Sequence, residues 1–308
     1  MNFTVSLLLF AAGLAVLLKG ADWATEKASK IASYFGVSNV IIGLSLVALS
    51  TSLPELAVSL TAALFGSGGI ALGSVVGSNI ANIGLVLGLS VIITPILVDK
   101  GNIEEATILL ILLTVSAMYM LNGISFLEGV FLLLFIFVYL YDLFRYGEKR
   151  ISNVRPVYNI KKESIFFVLG IVGVILGSNL MVTSAVSIAE VLYISEEVIA
   201  ATIIAIGTSL PELSVSLTAA KKGFKDMALG NIIGSCMFNI ALVLGFSSLL
   251  VPITSTKAFL YLQLPFMVGL SALLLLFMKT RWKLSKKEGM VFLAVYIVFL
   301  ALQFLINF

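Results

Sequence analysis

Residues 51–56 read TSLPEL, and residues 208–213 read TSLPEL again, each inside a long apolar run. Proline removes a backbone donor and clashes with the carbonyl of the preceding turn, so a helix kinks or breaks there. Each copy therefore sets an acid beside a helix break. The copies are 157 residues apart, and sliding the sequence by that amount aligns its halves without a gap. Glu55 meets Glu212, Gly77-Ser78 meets Gly234-Ser235, Asn82 meets Asn239 and Pro95 meets Pro252. Between 51–95 and 208–252, 26 of 45 positions are identical, and Gly20 and Gly177 obey the same offset. The chain is an internal duplication.

Composition says where the duplication resides. Of the 308 residues, 60% are apolar and 11% charged, with mean hydropathy +1.14. Soluble domains carry about 25% charged residues, so this is an integral membrane protein. The apolar runs are about 20 residues long, the length of a spanning helix rather than a barrel strand. Ten spans are expected, near 4–33, 39–66, 69–93, 104–121, 125–144, 164–192, 196–220, 225–250, 257–278 and 288–306. They divide into a first five-helix repeat (1–145, with its repeated segment at about 39–93), a basic linker (146–163) and a second five-helix repeat (164–308, repeated segment at about 196–250). The first apolar run has no basic leader or small-residue cleavage site, so it reads as a retained span.

Numbering the loops alternately puts 17 of the 19 lysines and arginines in one set; the other set holds only Lys257, and Lys19 lies within the first span. The basic side is cytoplasmic, which makes the linker cytoplasmic and both termini extracellular in a multi-pass cell-membrane protein. Five spans per half is an odd number, so the second half enters the bilayer upside down. This inverted-topology repeat is the architecture of many secondary transporters, with the binding site near the midplane between repeats.

The chain has no histidine and one cysteine, Cys236. That removes the usual ligands of zinc, copper, haem and iron–sulfur clusters, and histidine-based catalysis with them. No cofactor is expected, and Cys236 reads as a packing residue. The net charge of +3 reflects the cytoplasmic loops and makes no case for nucleic acid. Lipid is the surrounding partner; no obligate protein partner is implied.

Ligand chemistry points to cations. A carboxylate in mid-membrane costs at least about 2.5–3.5 kcal/mol on insertion scales and marks function by default. The only base well inside a span is Lys19, which cannot neutralise two glutamates and is read as lying outside the site, paired with Asp22 or snorkelling to the interface. Around Glu55 and Glu212 the sequence supplies Thr51, Ser52, Thr208 and Ser209, with carbonyls expected to be freed near Ala48–Thr51 and Ala205–Thr208. The next span of each half adds Ser78 and Asn82, or Ser235 and Asn239, four apart and so on one helix face. Hard oxygen ligands of this kind suit Ca2+, Na+ or K+. Two carboxylates give the empty site a charge of about −2, which one Ca2+ or two Na+ cancel. Moving the empty site through a low-dielectric gate is costly, which favours exchange over uniport.

The paired stretches GLSLVALSTSLPELAVSLTA (43–62) and ATIIAIGTSLPELSVSLTA (201–219), each followed by G-S-x-x-x-N, resemble the repeats of the cation/Ca2+ exchanger superfamily, and within it the sodium/calcium exchangers. The resemblance covers essentially the whole chain. It implies antiport of Na+ against Ca2+, commonly three to one, with Glu55 and Glu212 as shared ligands of both ions. Thr51 and Thr208 carbonyls would face Ca2+. Ala48 and Ala205 carbonyls, with Ser52, Ser78, Ser209 and Ser235, would serve flanking Na+ sites, and Asn82 and Asn239 would lie at the centre. Relatives that also carry K+ typically have aspartate where this chain has Asn239, so K+ independence is implied. The short link near 145–163 replaces the long regulatory insert of animal exchangers, as in a prokaryotic transport core.

H+/Ca2+ or K+-dependent exchange are the alternative antiporters. A cation channel could use the same ligands, but an inverted repeat fits alternating access better than a pore built around an axis along the membrane. An intramembrane enzyme would leave the matched hydroxyls and amides without a purpose, so no enzymatic activity is expected.

Overall fold

The computed structural model describes residues 2–34, 48–98, 104, 107–109, 111–112, 115–116, 123–146, 159–221, 225–254, 256–257 and 259–305. The opening of the expected second span (39–47), most of the fourth (104–121) and most of the basic linker lie outside the described residues.

The described chain is helical almost throughout. It begins with α1 (Phe3–Tyr34), the short α2 (Ala48–Thr51) and α3 (Leu53–Leu64). Next come α4 (Gly68–Ala81), a π-helical turn at Asn82–Leu87 and α5 (Gly88–Ile93), followed by a two-residue strand β1 (Ile96–Leu97) and α6 (Phe126–Tyr146). The second half opens with α7 (Ile160–Leu192), α8 (Glu196–Ile199) and a π-helical turn at Ala200–Ile204. It continues through α9 (Ala205–Thr208), α10 (Leu210–Lys221) and α11 (Lys225–Phe238) to a π-helical turn at Asn239–Leu244 and α12 (Gly245–Leu250). A further π-helical turn (Phe259–Gln263), α13 (Leu264–Arg281), β2 (Lys283–Leu284) and α14 (Lys286–Leu305) complete it.

Every boundary from α2 to α5 recurs 157 residues later from α9 to α12. The interruption between α2 and α3 is a single residue, Ser52 (φ −84°, ψ 2°), and its counterpart Ser209 has nearly the same geometry (φ −81°, ψ 4°). Pro54 and Pro211 fall in the first turn after each interruption, where a missing N–H costs least because that donor has no intrahelical partner. The sequence repeat is thus a repeat of local structure.

Among the described residues, seven helical stretches are long and apolar enough to cross a membrane: Phe3–Ala24, Gly68–Ile93, Ile160–Leu192, Glu196–Lys221, Ala228–Leu250, Phe259–Thr280 and Lys286–Leu305. Each coincides with an expected span. Leu53–Leu64 and Phe126–Tyr141 are shorter apolar helices at the expected second and fifth.

The duplicated helices form the centre. The apolar windows of Gly68–Ile93 and Ala228–Leu250 are 78% and 83% buried, against 28% and 33% for those of α1 and Ile160–Leu192. At the centre, Val75, Ile80 and Ile83 pack with Ile232, Met237 and Ile240 in one apolar cluster. Outside it, α1 and α7 lie backbone to backbone. A Cβ on Gly20 would sit 2.6 Å from the Val174 nitrogen, and one on Gly177 would sit 2.4 Å from the Leu17 nitrogen. Small residues permit this approach in membranes, where close packing drives helix association.

Short contacts tie the ends together. β1 pairs antiparallel with β2 (Ile96 with Leu284), and Ile124 bridges Ile253. Lys27 and Lys30 reach Glu163 at 3.5 and 3.7 Å. Both lysines also hydrogen-bond Glu26.

Candidate ion-binding site

The two helix interruptions face the two helices that carry the serine and asparagine pairs. Glu55, one turn after Ser52, and Glu212, one turn after Ser209, are both fully buried. The Leu56 N–H donates to the Ser52 carbonyl at 3.0 Å, and the Leu213 N–H to the Ser209 carbonyl at 3.1 Å. Each carboxylate is therefore set by a helix restarted immediately before it.

Hydroxyls join the halves across this centre. Ser52 and Ser235 hydrogen-bond at 2.8 Å, and Ser78 and Thr208 at 3.2 Å. Ser235 donates to Glu212 Oε1 at 2.7 Å. The Thr51 side chain also faces Glu212, while Ser78 and Thr208 face Glu55, which lies close enough to Glu212 for their charges to interact. Asn239 donates through Nδ2 to Asn79 Oδ1 at 3.1 Å. Asn82 lies beside the Cys236 thiol. Both asparagines are fully buried and open the π-helical turns of their halves, irregularities often found at functional sites.

The structure thus gathers Glu55, Glu212, Thr51, Thr208, Ser52, Ser78 and Ser235 into one connected cluster. Ser209, buried, lies beside Thr208 at the second interruption. Ala48 and Ala205 open the short helices α2 and α9. One detail differs from the sequence reading. The Ala205 carbonyl is not freed by the break: it accepts from the Ser209 N–H at 3.0 Å and from the Thr208 hydroxyl at 3.4 Å. Counting four residues back from the prolines, the carbonyls that lose a donor are those of Ser50 and Gly207.

Oxygen without a partner defines the chemistry. Glu55 Oε1 and Oε2, Glu212 Oε2, Asn82 Oδ1, Asn239 Oδ1 and Ser209 Oγ are buried and have no hydrogen-bond partner. Leaving such groups unmet costs about 1–3 kcal/mol each, more for charged ones, and native proteins leave few without a reason. Six oxygens, three of them on the two carboxylates, match a hard cation's demand for six to eight oxygen ligands.

Lys19 stays away from this cluster. It pairs with Asp22 at 2.8 Å with both side chains more than 60% exposed, as the sequence predicts. Asp22 in turn lines a cavity of about 300 Å3 between α1 and α10, together with Leu18, Ala21, Leu210, Pro211, Ser214, Val215 and one residue of the cluster, Thr51.

Asn79 was not legible as a site neighbour. It breaks the repeat, since its counterpart is Cys236, and matched positions were the signal followed. A polar residue at a position where the other half is apolar, one turn from matched polar residues, is the signal that finds it.

Comparison with known proteins follows the same lines. The sodium/calcium exchanger protein family matches residues 5–145 and 162–305. An uncharacterized membrane protein of Methanocaldococcus jannaschii is 39% identical over 294 residues, covering 95% of this chain and 96% of that one. The sodium/calcium exchanger MaX1 of Methanosarcina acetivorans is 35% identical over 348 residues, covering 98% and 99%. Among solved structures, the sodium-calcium exchanger NCX_Mj, soaked with 10 mM Na+ and zero Ca2+, superposes with a TM-score of 0.71 at 38% identity, covering 97% of this chain and 99% of that one.

Proposed function

This chain belongs to the sodium/calcium exchanger protein family, a family of membrane transporters and not of enzymes, and from that premise we propose that it exchanges Na+ for Ca2+ by alternating access. One observation carries the proposal: two fully buried carboxylates, related by the repeat, meet among unpartnered oxygens with no basic residue in the described cluster to neutralise them. Their counter-charge must come from solution. Glu55 and Glu212 are the shared ligands, Thr51 and Thr208 face Ca2+, and Ser52, Ser78, Ser209 and Ser235, with the Ala48 carbonyl, line the Na+ positions around Asn82 and Asn239; the Ala205 carbonyl joins them by releasing the Thr208 hydroxyl it accepts from in this conformation. Na+ and Ca2+ are substrates, and no resident cofactor is needed.

The scaffold is ten helices in two inverted five-helix repeats, with both termini extracellular. End contacts support this arrangement, because each joins loops of the same expected side: Lys27 and Lys30 with Glu163, Ile96 with Leu284, and Ile124 with Ile253. Cysteines at Asn153 and Lys286 in a Cys236→Ala background should label only from the cytoplasm, and one at Asn122 only from outside. Labelling of Asn122 and Asn153 from one side would break the ten-span topology.

Exchange is K+-independent and electrogenic on this account. Ca2+ brings the two-carboxylate site to neutrality, whereas three Na+ leave one positive charge. The decisive experiment is uptake of radiolabelled Ca2+ into proteoliposomes under imposed Na+, K+ or H+ gradients. Uptake driven by an outward Na+ gradient alone is the expected result; uptake with no counter-ion would mean a channel, and uptake driven only by H+ a proton exchanger.

A further inference from the structure

The geometry points to Asn79 as a positioning residue: it orients the Asn239 carboxamide so that its oxygen is presented to the transported cation, while its counterpart Cys236 gives Asn82 no such support. This rests on Asn82 and Asn239 being ion ligands.

Asn79 and Cys236 occupy equivalent positions in the two halves and face each other where α4 crosses α11. Asn79 Nδ2 donates to the Cys236 carbonyl at 3.4 Å, and the Cys236 thiol is 4.0 Å from the Asn79 carbonyl. The same Nδ2 lies 3.9 Å from the Met267 sulfur of α13. The Asn79 side chain is thus held by two neighbouring helices and fully buried. Its remaining polar atom, Oδ1, accepts from Asn239 Nδ2 at 3.1 Å.

That one bond fixes which way Asn239 points. With its nitrogen committed, its oxygen is left unpartnered and turned the other way. The repeat places Cys236 against Asn82 just as it places Asn79 against Asn239, but a thiol is a poor acceptor. Asn82 approaches the thiol, but neither of its polar atoms makes a hydrogen bond of normal geometry. One half offers an oriented amide oxygen, and the other an amide that must be turned by the ion itself. A ligand group held in its bound orientation loses less freedom when the ion arrives. A purely structural Asn79 would glue α4 to α11 and have no special relation to Asn239.

The test uses the full-length protein in detergent for equilibrium Ca2+ binding and in proteoliposomes for Na+-driven Ca2+ uptake. Asn79→Ala should raise both the Ca2+ dissociation constant and the apparent KM about five-fold, the worth of one hydrogen bond, with the maximal rate within about two-fold of wild type. In an Asn239→Ala background the same change should add nothing. The exchange Asn79→Cys/Cys236→Asn should hand the oriented amide to Asn82, so that Asn82→Ala becomes the costlier asparagine variant and Asn239→Ala the milder. Penalties of N79A and N239A that multiply, or an N79A that lowers the rate at unchanged KM, would overturn the proposal. Should the exchanged protein fail to fold, the two-residue cycle and the KM-against-rate split still decide. Glu55→Gln is the control for the underlying site: wild-type Ca2+ binding there would sink the site itself, whereas lost binding there with multiplying N79A and N239A penalties would sink only the positioning role.

Discussion

The two glutamates sit in pockets built from the same residues, yet they are bonded differently. Glu212 accepts from Ser235, which is also bonded to Ser52. The matching serine of the first half, Ser78, also faces Glu55 but is bonded to Thr208, and neither Glu55 oxygen takes a hydrogen bond of normal geometry. Duplication supplied one set of polar residues twice, and the packing of the halves against each other then gave the copies different hydrogen bonds. In the inverted arrangement proposed above this difference has a use. Two identical halves would present the site equally to both sides of the membrane, so a state open to one side needs halves that differ.

The severest way to challenge the comparison is to remove one charge at a time. Glu55→Gln and Glu212→Gln should each reduce Na+-driven Ca2+ uptake by more than about 100-fold, because either leaves a divalent cation facing a single carboxylate in low dielectric. Protein yield and monodispersity should stay near wild type, since the neutral amide is nearly the same size. If one of the two purified variants retained near-normal flux, the halves would differ in role as well as in hydrogen bonding, and the shared-ligand account would fail.

Much of this site was readable in the sequence because its signals are local. A proline removes its own donor and crowds the preceding turn, so TSLPEL placed both interruptions near their prolines, and the 157-residue offset carried the helix boundaries of one half onto the other. The unequal hydrogen bonding was not readable, because identical residues give identical expectations. Whether Ser78 turns to Glu55 or to Thr208 depends on contacts made between halves. The continuing bond from the Ser209 N–H to the Ala205 carbonyl was missed for a related reason. Proline deletes only its own donor, and the donors on either side keep their acceptors.

A second challenge works through voltage and treats the halves as a sum. With Asn at both 82 and 239 the site holds two formal negative charges, so the Na+-loaded and Ca2+-loaded forms differ by one charge at three-to-one coupling. One charge crossing the full field is worth about 2.3 kcal/mol per 100 mV, or about fifty-fold in the Ca2+ gradient sustained. Wild-type uptake should therefore respond to a K+/valinomycin potential, rising when the vesicle interior is made positive during Na+ export coupled to Ca2+ entry, because that cycle carries net positive charge outward. It should also proceed with K+ absent. Flux that ignores the potential, or stops without K+, would show that another charge takes part.

The finest distinction lies between the two serines. Ser235→Ala removes a hydroxyl that donates to a buried carboxylate, a bond worth about 1.5–3 kcal/mol when the acceptor is charged. In this conformation Ser78→Ala removes a bond between two neutral hydroxyls, worth about 1 kcal/mol, and a looser approach to the Glu55 carboxylate. If the bonding described persists in the conformation that captures Ca2+, Ser235→Ala should weaken apparent Ca2+ affinity by about ten-fold or more, and Ser78→Ala by about five-fold or less. The measurement is Ca2+ binding to each purified variant at low Na+, so that competition does not mask the difference. If the hydroxyls instead trade partners when the protein turns its site to the other face, the order should reverse for Ca2+ taken up from that side. Uptake from each face of oriented vesicles separates these outcomes. Equal penalties from both faces would mean that the asymmetry between the halves is without functional consequence.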